Sequence, residues 1–160
     1  MGHGNKYVGN QADNRGGAID ASIVRSSRDL FAENSADIAG GAVNASTGAF
    51  QQSVFSSNTA AFGGALYGGQ VAVQSSRFTG NVAVYGGGVR LYSQDSSTLT
   101  NIRKNQFARN QAEYGGGLAV TGGRIGIKLA TFVLCQCLQA ECCFGVRKFY
   151  LVRGQFWSLL

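Results

Sequence analysis

The fold is decided by the stretch Phe55-Ser-Ser-Asn58-Thr-Ala60-Ala-Phe-Gly63-Gly64-Ala65-Leu66, because its pattern returns along the whole chain. An aromatic residue is followed by Asn three positions later and by Ala after two more. A Gly pair and an aliphatic residue then close the unit. The copies have their asparagines at Asn10, Asn34, Asn58, Asn81 and Asn110, which are 24, 24, 23 and 29 residues apart. A fixed period of this size predicts a repeat architecture.

The repeat unit is built from strands and turns. Short apolar runs alternate with a period of two, as in Val71-Ala-Val73, and helical spacing is absent between residues 1 and 125. A Gly pair in every unit would also weaken any helix. About 23 residues, at roughly 3.3 Å each, can form one loop of three short strands and three bends. The sequence therefore predicts an all-β parallel solenoid of about five coils.

Equivalent side chains of successive coils should form ladders along the solenoid axis. The inward aromatic ladder is predicted to contain Tyr7, Phe31, Phe55, Phe78 and Phe107. The five asparagines should occupy one bend, where Asn tolerates the left-handed conformation and stacked amides bond from coil to coil. The Gly pairs should form a second bend that needs positive φ or close backbone approach.

Composition and charge narrow the function. The chain has 160 residues, 24 Gly, no Pro, 14% charged residues and a net charge of +6. The cations form no continuous basic run, so nucleic acid is not an expected partner. The four cysteines are confined to residues 135–143, in a spacing that lacks the Cys-x2-Cys pairs of a zinc site. Neither a metal nor another cofactor is expected.

We divide the chain into a β-helix repeat region, residues 1–125, and an apolar Cys-containing tail, residues 126–160. A sixth Phe is due near residue 130, where Ala130 stands, and Phe132 has no Asn three positions later. Three interpretations of the tail stay open: a cap over the solenoid end, an amphipathic segment, or non-native translated sequence, which the abrupt change of composition favours. The chain opens within a repeat unit and without a secretory signal, which suggests a fragment of a longer solenoid.

Three surface features are candidates for binding. Phe62, Tyr85 and Tyr114 each follow a ladder Asn by four residues, so outward side chains would form an aromatic strip over three coils. The alternative is that they cover the bend at the Gly pair. Six extra residues lie between Tyr92 and Lys104, as a functional loop or a tolerated bulge. Four arginines fall near one end as a basic rim or a solvated surface: Arg77, Arg90, Arg103 and Arg109.

Catalysis is not expected. Polysaccharide-cleaving solenoids need converging carboxylates, or a carboxylate with a cation. The best candidates are Asp13 and Asp37, which each follow a ladder Asn by three residues. The row continues as Ala61, Val84 and Glu113, so the carboxylates are interrupted. Asp in a turn ordinarily serves the turn itself.

The motif Phe-x-x-Asn followed by Gly-Gly-Ala-(Ile/Leu/Val) resembles the repeat of polymorphic outer-membrane proteins and related autotransporter-like surface proteins, over about residues 7–120. The resemblance implies a right-handed parallel β-helix at the cell surface or outside the cell, acting as an adhesin or structural binding module. It implies host or neighbouring cell-surface proteins or glycans as partners. Membrane association would come only through other regions of a parent chain. The alternative function is a carbohydrate-active β-helix enzyme or a carbohydrate-binding fragment of one.

Overall fold

A computed structural model shows an all-β chain wound as a parallel β-solenoid of about five turns, which confirms the predicted fold class. The structure describes residues 2–92, 99–122, 124–138 and 144–147, and these contain strands and turns but no helix. The strands of each coil pair with those of the coils before and after it.

Each coil has three sides. The first side is a nine-stranded parallel sheet with strands β1 (Gly2–His3), β4 (Ile19–Ser27), β7 (Val43–Gln51), β9 (Leu66–Gln74), β11 (Val89–Tyr92), β12 (Leu99–Arg103), β15 (Leu118–Thr121), β16 (Arg124–Lys128) and β19 (Phe144–Arg147). The second is a six-stranded sheet with strands β2 (Lys6–Val8), β5 (Leu30–Ala32), β8 (Val54–Ser56), β10 (Arg77–Thr79), β13 (Gln106–Ala108) and β17 (Thr131–Val133). We call these the long-strand sheet and the short-strand sheet.

The third side is less regular. Two short pairs frame it, β3 (Gln11–Ala12) with β6 (Ser35–Ala36) and β14 (Gln111–Ala112) with β18 (Gln136–Cys137). Isolated parallel bridges connect the coils between them, for example Phe62 with Tyr85 and Tyr85 with Tyr114. The motif therefore starts on the short-strand sheet, crosses the third side and ends on the long-strand sheet.

The core is a column of aromatic rings inside the solenoid. Phe31, Phe55 and Phe78 are fully buried, and their neighbouring ring centroids are 4.7 Å apart. The column extends to Tyr7 at one end, 4.8 Å from Phe31, and to Phe107, 4.9 Å from Phe78. These distances match the spacing of adjacent strands, so strand pairing imposes the stacking of the rings.

The two turns that flank each short strand contain residues with positive φ. One set precedes the ladder asparagines: Gly9 (φ 68), Glu33 (φ 57), Ser57 (φ 55), Gly80 (φ 65) and Arg109 (φ 54). The sequence assigned this left-handed tolerance to the asparagines themselves, whereas the residue before each of them adopts the conformation. The asparagine side chains are instead needed for hydrogen bonds between coils.

The two residues of the Gly pair show the two predicted properties, positive φ at the first and close backbone approach at the second. The first residue, as at Gly63, has a φ of 66°. The second, Gly64, lies so close to the next coil that an added Cβ would meet the carbonyl oxygens of Gly87 and Val82. Any side chain at the second position would therefore push adjacent coils apart.

The fourth coil carries its insertion in the middle of the long-strand sheet. In earlier coils this strand is unbroken, as in β9, but β11 and β12 divide the same register between them. Residues 93–98, most of the predicted insertion, lie outside the described residues.

The coil pattern also continues beyond residue 125, where the sequence divided the chain. Strand β17 pairs with β13, and Phe132 stacks on Phe107 at 4.7 Å. Cys135 occupies the place of the ladder Asn and is buried. The sequence did not show this coil because its motif lacks the Asn and the Gly pair. Backbone pairing and one inward ring nevertheless keep the register. Residues 139–143 and 148–160 of the predicted tail lie outside the described residues.

Candidate functional site: an aromatic ridge beside a scaffold of ladders

The asparagine ladder belongs to the scaffold. Asn58 is fully buried, and its Nδ2 donates to Oδ1 of Asn81 at 2.9 Å and to the carbonyl oxygen of Phe31 at 3.1 Å. Its own Oδ1 accepts hydrogen bonds from the backbone N–H and the Nδ2 of Asn34, both at 3.0 Å. The same bonds recur from Asn10 to Asn110. These side chains are satisfied internally, so they are not positioned to contact a ligand.

A second polar ladder was missed by the sequence analysis. It lies two residues before each Phe and contains Asp29, Ser53, Ser76 and Asn105, all buried. Ser53 Oγ accepts from the backbone N–H of Asp29 at 3.3 Å, and Asn105 Oδ1 accepts from that of Ser76 at 2.8 Å. The signal was a small polar residue at a constant offset from Phe. Asp29 also accepts from Ser26 Oγ at 2.7 Å, which ties this carboxylate to the scaffold.

The aromatic strip lies on the third side, in one row of parallel bridges. The ring centroids of Phe62 and Tyr85 are 5.4 Å apart with an interplanar angle of 11°, and those of Tyr85 and Tyr114 are 4.8 Å apart with an angle of 6°. All three side chains are half-buried. The structure therefore brings the three residues together as one continuous stack, which we call the aromatic ridge.

The stacking determines what the ridge can offer a partner. Because the rings are nearly parallel, each interior ring face is covered by the next ring. Within the stack, the edges of the rings and the hydroxyls of the two tyrosines remain for contact. Ring edges carry the positive part of the aromatic quadrupole, and hydroxyls donate and accept hydrogen bonds. This geometry suits a flat contact with another protein better than a sugar laid on a ring face.

Polar residues border the ridge on the long-strand sheet. The guanidinium carbon of Arg90 lies 5.6 Å from the centroid of the Tyr85 ring. Arg90 is in register with Tyr67, and Tyr67 with Asn44. Asn44 donates to Asp20 Oδ1 at 2.6 Å on the exposed surface. Arg90 therefore gives the ridge a cationic neighbour at its middle ring.

The candidate acids do not assemble into a catalytic cluster. Asp13 and Asp37 follow the paired residues Ala12 and Ala36, and both are exposed on adjacent coils. Glu113, the remaining carboxylate of that row, is exposed three coils further on. Among the residues that the structure describes, no three His, Cys, Asp or Glu side chains come together in a metal-binding group.

A hollow of about 570 Å³ lies on the third side towards the last coil. Its lining includes Val82, Ala112, Glu113, Cys135 and Leu138. In the part of the chain that the structure describes, no helix is long and apolar enough to cross a membrane.

Comparison with known families gives one match. The model of the Chlamydia polymorphic membrane protein (Chlamydia_PMP) repeat matches residues 52–69, which run from the turn before β8 into the start of β9. Comparisons with curated proteins and with solved structures gave no significant match. The matched segment contains Phe55, Asn58 and the Gly63-Gly64-Ala65-Leu66 run, the residues that build the aromatic column, the asparagine ladder and the Gly bend. Residues 52–69 thus match the polymorphic membrane protein repeat, and they fold within a parallel β-solenoid of about five turns.

Proposed function

We propose that this chain is a non-catalytic adhesion module that binds a cell-surface protein through the aromatic ridge. The repeat family suggests a surface-exposed module of an outer-membrane protein. The proposal adds the act of adhesion, the location of the contact and the class of partner.

The observation that supports the proposal is the continuous stack of Phe62, Tyr85 and Tyr114. Three half-buried aromatic side chains in one row place apolar edges and two hydroxyls on the surface. Tyr is enriched at protein interfaces because one side chain provides both apolar area and a hydrogen bond. A ridge already held by stacking loses little side-chain entropy when it binds.

The arrangement of the polar residues favours binding over catalysis. The buried polar side chains serve ladders, as Asn58 and Asp29 do. The exposed acids Asp13 and Asp37 do not belong to a group of three or more described His, Cys, Asp or Glu side chains that could hold a metal ion. A broad face with a hydrophobic stripe and a polar margin is typical of a protein contact.

The test uses beads coated with the full chain and cultured epithelial cells as the probe. We expect the beads to bind, and the double variant Tyr85→Ala/Tyr114→Ala to bind about tenfold more weakly, as for loss of an interface hot spot. Tyr92→Ala is the matched control, because Tyr92 is 39% exposed and lies on the long-strand sheet, away from the ridge. Mild protease treatment of the cells should abolish binding.

Three results would overturn the proposal. Full binding by the folded double variant would show that the ridge does not take part in the contact. Binding that survives protease but is lost after glycosidase treatment would make the partner a glycan. Release of sugar fragments from acidic polysaccharides, lost in Asp37→Asn, would show an enzyme.

A further inference from the structure

A second surface of the molecule is basic, and it lies away from the aromatic ridge. Its members are Arg77, Arg103, Lys104, Arg109 and Lys128, all exposed. They surround β13 on the short-strand sheet and the turn that leads into it. We call this surface the basic face.

Strand register places two of the cations side by side. Arg103 pairs with Lys128 on the following coil and with Gln74 on the preceding one. The backbone N–H of Lys104 donates to the carbonyl oxygen of Lys128 at 2.8 Å, so the third cation lies at the same corner. These three residues line an open hollow of about 300 Å³.

The remaining cations lie across the short strand. Arg77 pairs with Gln106 of β13, and Arg109 follows the end of that strand. Both line a second hollow, of about 290 Å³, with Thr79 and Gln106. Along the fourth coil the basic face therefore runs from Arg103 to Arg109, with the exposed Gln106 between the cations.

This clustering is unfavourable for the fold. Like charges on directly neighbouring strands destabilise a sheet. From Arg77 to Leu138 the sequence contains only two acids, Asp95 and Glu113. Glu113 lies on the third side, and Asp95 falls outside the described residues. Earlier coils have neutral residues in the same row, Ser27, Gln51 and Gln74. The cations therefore call for an explanation other than stability.

We propose that the basic face binds a sulfated polysaccharide. The cations are exposed and are divided between two open hollows, which fits an extended polyanion better than a single phosphate held in one pocket. No aromatic side chain lines either hollow among the described residues, so stacking of nucleic-acid bases is not provided for. Gln74, Gln106 and Thr79 can bond sugar hydroxyls between the charges. The choice of an extracellular polymer rests on the surface location assumed in the proposed function.

Heparin is the probe. The full chain should bind immobilised heparin with an affinity that falls steeply with salt, because binding releases counterions. The triple variant Arg103→Gln/Lys104→Gln/Lys128→Gln should lose about tenfold or more in affinity at moderate salt and show a smaller salt slope. Desulfated heparin should bind much more weakly than heparin.

The chain supplies a matched control. Arg28 occupies the same turn as Lys104, with φ of 59° against 55°, and is also exposed, but it neighbours Asp29 and Glu33. The variant Arg25→Gln/Arg28→Gln/Arg15→Gln removes the same charge and should retain heparin binding. Equal loss in both triple variants would reduce the effect to net charge and overturn the proposal.

Two further outcomes are decisive. Unchanged heparin binding by the folded basic-face variant would also overturn the proposal, as would stronger binding to duplex DNA or acidic phospholipid vesicles than to heparin. Tyr85→Ala/Tyr114→Ala should bind heparin normally. The two proposals can therefore fail separately, since one depends on the ridge and the other on the basic face.

Discussion

The interior coils and the last described coil form the same bend with different residues. In the interior, Asn58 makes amide hydrogen bonds of 2.9 to 3.1 Å to Asn81 and Phe31. In the last coil the equivalent residue is Cys135, whose Sγ lies 3.5 Å from the carbonyl oxygen of Phe107 and 3.9 Å from Nδ2 of Asn110. The aromatic column nevertheless continues to Phe132. Strand pairing and inward rings thus establish a coil, and the Asn adds stability to it.

The largest effect should come from breaking the column in its middle. Phe55 is fully buried between Phe31 and Phe78 and meets Phe50 edge-on at 5.8 Å. Phe55→Ala should lower the free energy of unfolding by about 3–5 kcal/mol through lost burial and a cavity. Denaturant unfolding measures the loss.

The control is the same truncation at the end of the column. Phe132 is half-buried, so less area is returned to water when it is shortened. Phe132→Ala should cost less than half as much as Phe55→Ala. Equal losses for the two variants would contradict a column whose stability depends on burial.

The second-largest loss of stability should come from removing the side-chain amide of Asn58. Asn58→Ala removes the acceptor of two bonds from Asn34 and the donor to Phe31, and it leaves buried polar groups unsatisfied. We expect a loss of about 1–3 kcal/mol. A thermal melt or denaturant titration would show it.

Asn10 provides the matched position at the exposed end of the same ladder. It donates to Asn34 Oδ1 but is itself exposed. Asn10→Ala should cost about 1 kcal/mol or less, since water replaces the lost bonds. An unshifted melt for Asn58→Ala would mean that the interior amide contributes nothing beyond what water supplies.

The sequence predicted the features that depend on the position of a residue within the repeat unit. Residues that share a position in the unit, such as Phe55 and Phe78, must lie on one row once the coils stack, so the fold and the order of the rows could be derived. Their equal offset from a ladder Asn also predicted that Tyr85 lies next to Tyr114. It could not show that the rings stack face to face, because ring orientation depends on packing against neighbouring coils.

Two features could be derived only in part from the sequence, because no motif marks them. The last coil has lost the Asn and the Gly pair, so its register becomes visible only through strand pairing, such as that of Phe107 with Phe132 and Ala112 with Cys137. The basic face combines residues of three coils, Arg77, Arg103 and Lys128 among them. The sequence predicted a basic rim that included Arg77, Arg103 and Arg109. It could not show that strand register adds Lys128 to them or that Arg90 lies beside the Tyr85 ring instead.

The smallest effect should come from extending the asparagine ladder to the last described coil, where Cys135 replaces the Asn. In Cys135→Asn, Oδ1 should accept from Asn110 Nδ2, and the new Nδ2 should donate to the carbonyl oxygen of Phe107, replacing two long contacts to sulfur. Two amide hydrogen bonds at a buried corner should stabilise the last coil by about 1 kcal/mol. Hydrogen exchange of the Phe132 and Gln136 amides measures this local gain. Cys135→Ala is the control, because it removes the sulfur without supplying the amide and should not slow exchange. If Asn and Ala gave the same exchange rates, the ladder could not be extended by side-chain chemistry alone, and the last coil would need its Gly pair as well.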